Sequence, residues 1–125
     1  MEKSGFITVA KEAVEALPSH IRAALTDMVI IIEDRPSQEW EAIHRGKLLL
    51  GLYQGIPLTE WGRTFSGKLP DKIMLFREPI EQVAGSEVEV PRVIRETVWH
   101  EIGHHFGLDH KRIGKMEQRW RKNQP

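Results

Sequence analysis

The alternation of hydrophobic and polar residues divides the chain into helical and extended segments. From Ile7 to Leu17 apolar residues recur with a helical period, and Pro18 ends the pattern. Short apolar runs bounded by polar or turn residues predict strands, over Met28 to Ile32, Leu48 to Tyr53 and Lys72 to Phe76. The first part of the chain therefore predicts one helix followed by three strands.

The connections between these strands differ in character. Ser37 to Ile43 fits either a short helix or a polar connection that carries Trp40. From Gln54 to Asp71 the chain is rich in glycine and proline, which predicts mostly loop. A loop of this length in a small domain is usually functional or disordered.

After the third strand the pattern is helical. Pro79 to Ala84 predicts one helical turn before a glycine. Ser86 with Glu89 resembles a capping box for the next helix, although Pro91 fits only a first turn and favours a later start. The core face of that helix is predicted to carry Ile94, Val98, Ile102 and Phe106. A final basic helix from Lys111 to Lys122 is predicted to pack Ile113, Met116 and Trp120.

Length and element order predict an α+β fold in one domain over residues 1–125. The 18 basic and 18 acidic residues balance, so net charge gives no sign of a nucleic-acid or anionic-membrane partner. The chain has no cysteine, which excludes disulfides and thiolate metal ligands. Its first ten residues lack a secretion signal and no segment suits a membrane span, so we expect a cytoplasmic location.

Eleven residues from His100 to His110 carry the candidate chemistry, in the pattern H-E-x-x-H-x-x-G-x-x-H. On a helix His100 and His104 lie one turn apart on one face, which suits two nitrogen ligands about 2.0–2.1 Å from one zinc ion. Glu101 lies beside them, where it can hold a water without binding the metal. Gly107 can adopt positive φ and turn the chain back, so that His110 supplies a third ligand.

Three protein ligands and an open position predict one catalytic zinc ion per chain rather than a structural site. Zinc would lower the pKa of a water toward about 7, and Glu101 would accept its proton and pass it to a leaving amine. The expected substrate is a peptide or unfolded protein lying extended along a strand edge. The alternative is an amphipathic helix with solvated histidines before a glycine cap, and the fixed offsets of Gly107 and His110 argue against it.

Other residues near the motif have simpler expected roles. Tyr53 could assist an oxyanion, but a half-buried strand aromatic is the stronger expectation. His105 points about 100° away from the two helical ligands, so we expect it to pack rather than bind metal. His20 and His44 are expected at the surface, and the basic residues of the final helix are expected to form a solvated face.

Five segments carry a resemblance to a known family: Val29 to Asp34, Leu50 to Leu58, Gly67 to Ile73, Phe76 to Ile80 and Thr97 to Gly107. In these segments the chain resembles the minimal zincin-like metallopeptidases, small single-domain bacterial proteins. The resemblance implies a compact zincin-like fold in which a small mixed sheet of about three strands packs on the active-site helix, with flanking helices. It also implies a peptidase whose substrate is unassigned.

The third ligand has an alternative, because the corresponding region of the family is often acidic. Asp109 and His110 are adjacent here, and the offset from His100 selects His110, as in the broader metzincin pattern. Asp109 is the alternative ligand. Metzincins also place a methionine in a turn beneath the metal, but Met116 lies in a predicted helix and is interpreted as core packing.

Two rival functions stay open at the level of sequence. A metal-dependent endoribonuclease of the bacterial ribosomal-RNA maturation type shares the three-histidine offsets but carries glycine where this chain has Glu101. The neutral overall charge also gives RNA no evident attraction. The other rival is a zinc-binding module without catalysis, in which a protein group fills the open position.

Overall fold

The computed structural model describes residues 1–25, 27–43, 48–54 and 71–122. His44 and nearly all of the predicted loop from Gln54 to Asp71 lie outside these residues, so those two expectations stay predictions. In the described ranges, no helix has the length and apolar character needed to cross a membrane.

Helices and a short sheet make up the described chain. The strands are β1 (Val29–Glu33), β2 (Gly51–Gln54) and β3 (Lys72–Phe76). The helices are α1 (Lys3–Glu15), α2 (Ser19–Ala24), α3 (Gln38–Ile43), α4 (Arg77–Ala84), α5 (Val90–His105) and α6 (His110–Lys122), with a 3₁₀ turn at Glu87–Glu89. This is the predicted α+β architecture.

The three strands form one mixed sheet in the order β1–β3–β2. β1 runs parallel to β3, with Val29 opposite Lys72 and Glu33 opposite Phe76. β2 runs antiparallel to β3, with Gly51 opposite Leu75. β3 is the central strand, which explains why its residues Ile73, Leu75 and Phe76 are fully buried.

The core lies between the sheet, α1 and α5. Phe6, Ala10 and Ala13 of α1 are fully buried, as are Ile94, Val98, Trp99 and Ile102 of α5. The indole N–H of Trp99 donates to the backbone carbonyl of Ala13 at 2.8 Å, so its polar atom is satisfied inside the core. This packing holds α5 in place along most of its length.

The hydrophobic pattern predicted most of the elements before β3, but several of their observed bounds differ from the predicted ones. α1 begins at Lys3 rather than Ile7, because Phe6 extends its buried face by one turn. The six-residue α2 was not predicted, since a helix this short shows little periodicity. Residues 38–43 form the short helix rather than the polar connection. β2 starts at Gly51, three residues later than predicted, because that is where pairing with β3 begins.

The elements after β3 also depart from the pattern. α4 is an eight-residue helix rather than a single turn. The predicted capping box was wrong: neither Ser86 nor Glu89 caps a helix through its side chain. α5 begins at Val90 with Pro91 in its first turn, as the alternative start required. The Glu89 carboxylate instead accepts from Arg92 at 2.6 Å.

α6 closes the core as predicted, one residue longer at its start. Ile113 is buried, while Met116 and Trp120 pack partly buried against the core, which agrees with a packing role for Met116. The Arg95 guanidinium of α5 pairs with the Glu117 carboxylate of α6 at 3.2 Å, with both side chains almost buried. The same guanidinium lies 5.0 Å from the ring centroid of Trp120. These contacts set how α6 lies against α5.

Candidate metal centre

The C-terminal half of α5 places two imidazoles side by side. His100 and His104 are one helical turn apart, and their ring centroids are 5.5 Å apart with the rings nearly perpendicular. Neighbouring Ile102 and Gly103 are buried, so the opposite face of the same turn is fixed in the core. The helix thus presents both imidazoles from a rigid base.

A glycine turn ends α5 and reverses the chain. Gly107 has φ of 81°, the left-handed conformation predicted for it. The N–H of Leu108 donates to the Gly103 carbonyl at 2.8 Å and that of Gly107 donates to the His104 carbonyl at 3.2 Å, which together form a Schellman motif. A Cβ on Gly103 would lie 3.2 Å from the Cδ1 of Leu108, so the absence of a side chain at Gly103 lets the turn pack closely on the helix.

The two residues that could supply the third ligand, Asp109 and His110, have different positions in the structure. Asp109 precedes α6, and its Oδ1 accepts from the backbone N–H of Arg112 at 2.8 Å, which makes it the helix N-cap. His110 is the first residue of α6. Its ring centroid lies 5.1 Å from that of His100 and 5.0 Å from that of His104. The structure therefore brings His110 to the two helical histidines and gives Asp109 a capping role.

The three imidazoles form a group that could hold a metal ion. Their candidate ligand nitrogens all lie within 4.8 Å of one another, and no other such group of three occurs among the residues described. Two nitrogens bound to one tetrahedral zinc at about 2.1 Å are about 3.4 Å apart, so side-chain rotations must bring the imidazoles closer together. His104 and His110 are exposed and His100 is half-buried, which leaves the group accessible from solvent.

The electrostatics of the centre favour a metal-binding form. Burial, followed by the neighbouring His110 and His104, lowers the pKa of His100 below its ordinary value. A lowered pKa favours the neutral imidazole, which is the form that binds metals. The three imidazoles, with the neutral form favoured at His100, therefore fit zinc.

The Glu101 side chain extends from α5 toward the edge strand β2. Burial raises the pKa of its carboxyl, and a hydrogen bond with the backbone of Tyr53 partly offsets that rise. Gly51 brings β2 close to α5 at this point, because a Cβ there would lie 2.9 Å from the Cγ2 of Thr97. The carboxyl group next to the imidazoles is therefore held by a strand backbone as well as by its own helix.

The Tyr53 side chain is engaged outside the metal centre. Its hydroxyl donates to Asp71 Oδ1 at 2.9 Å, and burial, helped by that bond, raises its pKa. Its ring lies edge-on to that of His105, with centroids 4.8 Å apart, and also contacts Phe106. Tyr53 is thus the half-buried strand aromatic that was expected. His105 packs on it and lies outside the three-histidine group.

A cavity of about 290 Å³ opens beside the centre, and His100 and Glu101 form part of its wall. Most of the remaining wall is apolar and comes from three separate elements: Leu48, Leu49, Leu50, Val83, Val93 and Thr97. Leu48 and Val83 are about half exposed there. No sequence pattern indicates this cavity, because its residues follow the strand and helix patterns of an ordinary core.

The chain is similar to one known protein family and to a solved structure. The family model of zincin-like metallopeptidases matches residues 25–120. No curated protein matches. A solved structure of a conserved hypothetical protein from T. thermophilus is similar to the chain with a TM-score of 0.55 and 23% identity. That match covers 84% of this chain and 94% of the other, and it supports the fold.

Proposed function

Because the chain belongs to the family of zincin-like metallopeptidases, we propose that it is a zinc-dependent endopeptidase. The observation that carries the proposal is the group of three imidazoles beside a partly buried carboxyl group. His100, His104 and His110 would hold one zinc ion per chain, and Glu101 would act as the general base. The substrate would be a peptide or an unfolded protein.

Each residue has a defined task in this proposal. When bound, zinc would polarise the carbonyl of the scissile bond and lower the pKa of the attacking water toward about 7. Glu101 accepts a proton from that water as the water oxygen attacks the carbonyl carbon. The same carboxyl group then donates the proton to the amine nitrogen as the carbon–nitrogen bond breaks. Its raised pKa suits both transfers, because a proton carrier works best near the operating pH.

The edge of the sheet supports an extended peptide as substrate. Among the described strands, β2 pairs on one side with β3, and its backbone at Tyr53 reaches Glu101. An extended chain beside β2 would gain main-chain hydrogen bonds and bring a peptide bond to the imidazoles. This geometry favours a peptide over a compact small molecule.

The cavity beside the centre supports a preference for a bulky apolar side chain near the scissile bond. Its volume of about 290 Å³ exceeds the roughly 150 Å³ that accommodates a benzene molecule in an engineered protein cavity. Glu96 also lines it, but its charge is offset by Arg92 at 3.1 Å. A leucine or phenylalanine side chain would therefore fit better than a charged one.

The two rival functions are less well supported. Within the described chain the group of candidate ligands contains three imidazoles and no fourth side chain, which favours an open catalytic site over a closed module. A ribonuclease would give the Glu101 carboxyl no required task. A substitution of Glu101 therefore separates all three functions.

The test is Glu101→Gln, which preserves the shape of the side chain but removes the proton acceptor. We expect hydrolysis of a broad peptide library to fall at least about 10²-fold, with unchanged zinc content by elemental analysis. Glu89→Gln makes the same change at the start of α5, away from the centre, and is expected to retain activity.

Three results would contradict the proposal. Zinc-dependent proteolysis that survives undiminished in Glu101→Gln would exclude the mechanism. RNA cleavage that survives the change would indicate the endoribonuclease. Stoichiometric zinc without turnover on the whole library would indicate the non-catalytic module.

A further inference from the structure

A second cavity shares no lining residue with the pocket beside the metal centre. It has a volume of about 600 Å³ and is formed by the connection between α1 and α2 together with one face of α6. Its volume is within the range of about 300–1,000 Å³ that is typical of small-molecule sites. It contains none of the three histidines or Glu101, so it is separate from the proposed peptidase chemistry.

The walls of this cavity are strongly basic. Arg22 of α2 and Arg112, Lys115 and Arg119 of α6 all line it, and none of its described lining residues is acidic. The chain as a whole has equal numbers of basic and acidic residues, so the cavity concentrates positive charge that the composition conceals. We call this site the basic cavity.

These four cations also lack ion-pair partners within the described part of the chain. Several other arginines pair with carboxylates, including Arg35 with Glu78 and Arg92 with Glu89. No such pair involves the four residues of the basic cavity. Like charges gathered in one concavity repel one another, and a bound anion would relieve that repulsion.

The rest of the lining is largely apolar. Leu17, Leu108 and Met116 contribute to the wall, and Leu17 and Leu108 are almost fully buried. A ligand that fits this lining carries clustered negative charge, because most of the surface that the cavity exposes is polar. The location of Arg22 on α2 also distinguishes the cavity from an ordinary solvated helix face.

We propose that the basic cavity binds a small molecule with two or more phosphate groups. Guanidinium groups bind phosphate oxygens in pairs, and an ammonium group adds a further charge-assisted hydrogen bond. The concave shape favours a compact polyphosphate over an extended acidic peptide. Both a nucleoside triphosphate and inorganic triphosphate carry this chemistry.

Calorimetric titration of the purified protein, without added zinc, with each of these two compounds tests the proposal. We expect saturable binding that weakens as salt concentration rises, because salt screens the attraction. Lys115→Gln and Arg119→Gln should each weaken binding about tenfold or more, since each removes a charge-assisted hydrogen bond. Both residues are exposed, so the variants should melt like the parent protein.

Lys11→Gln is the matched control, because Lys11 is an exposed lysine on α1 that lines a different cavity. It should leave affinity within about twofold of the parent. Tighter binding of the nucleoside triphosphate would assign the apolar lining to the nucleoside, whereas equal binding would assign the site to the phosphates; both results support the proposal.

Four results would overturn the proposal. The first is that neither compound shows saturable binding, and the second is that Lys115→Gln and Arg119→Gln bind as tightly as the parent protein. The third is that Lys11→Gln weakens binding as much as the two cavity variants do. The fourth is that a glutamate-rich peptide of the same charge binds more tightly than either phosphate compound. If the phosphate compounds bound to a zinc ion rather than to the basic cavity, Lys115→Gln and Arg119→Gln would bind them as the parent protein does, which is the second of these results. Peptidase activity is not the readout, so this test is independent of the proposed function.

Discussion

Replacing Gly51 with alanine tests how closely the edge strand must approach α5. An alanine Cβ at this position would lie 2.8 Å from the Met74 carbonyl oxygen, 2.9 Å from Thr97 Cγ2 and 3.0 Å from Leu75 Cδ2. One of these neighbours is a backbone atom of the central strand, so a change of rotamer cannot relieve every contact. β2 must therefore move away from β3 and α5.

Two opposing effects set the magnitude. Overpacking a core typically costs about 1–3 kcal/mol. Alanine recovers about 0.5–1 kcal/mol relative to glycine, because the unfolded chain has less conformational freedom to lose. We therefore expect Gly51→Ala to lower the free energy of unfolding by up to about 2.5 kcal/mol. Chemical denaturation followed by circular dichroism would measure this change.

Gly114→Ala provides the control, because Gly114 lies in α6 with no atom within 4 Å of an added Cβ. It should raise the free energy of unfolding by up to about 1 kcal/mol through helix propensity. Gly51→Ala should also lower the proposed peptidase activity by more than the loss of folded protein explains, since moving β2 disturbs the hydrogen bond between the Tyr53 backbone and Glu101. Equal stability and equal activity in Gly51→Ala and Gly114→Ala would refute this reasoning.

The remaining predictions concern the metal and the packing of α6. His110→Ala should abolish stoichiometric zinc binding, whereas Asp109→Ala should retain zinc and lose about 1 kcal/mol of stability as a helix cap; zinc loss in Asp109→Ala instead would reassign the ligand. Arg95→Met should destabilise the fold by about 1.5–3 kcal/mol in denaturation, because it leaves Glu117 almost buried with only the more distant Arg121. Adding Glu117→Met should restore much of that loss, and no restoration would mean that the pair is not the cause. A chelator should lower the melting temperature of the zinc-loaded protein but leave a cooperative transition, since none of the three proposed zinc ligands belongs to the hydrophobic core; loss of that transition would contradict this.

Local regularity explains which elements could be predicted. β3 was predicted with correct bounds, because Lys72 to Phe76 is a short, mostly apolar run and the whole run pairs with its neighbours as the central strand. The ends of α1 and β2 depended on contacts with other elements, namely burial of Phe6 and pairing of Gly51 with Leu75. Those contacts leave no periodic signal, so the predicted bounds were off by three or four residues.

Local patterns along the chain were enough to predict the α+β class, the approximate positions of the strands and the turn at Gly107. Fixed spacing on a helix places His100 and His104 together, and Gly107 adopts positive φ because glycine lacks a Cβ. These are local consequences of backbone geometry, and they can be deduced from neighbouring residues.

The surroundings of the metal centre depend instead on how distant elements pack together. The bond between Tyr53 and Glu101, the cavity walled by Leu50 and Val83, and the basic cavity each join residues far apart in sequence. The offset from His100 had selected His110 over Asp109, and in three dimensions Asp109 caps α6 while the His110 ring lies 5.1 Å from that of His100. Burial and charge clustering arise from the packing of distant elements, and no local pattern in the chain records them.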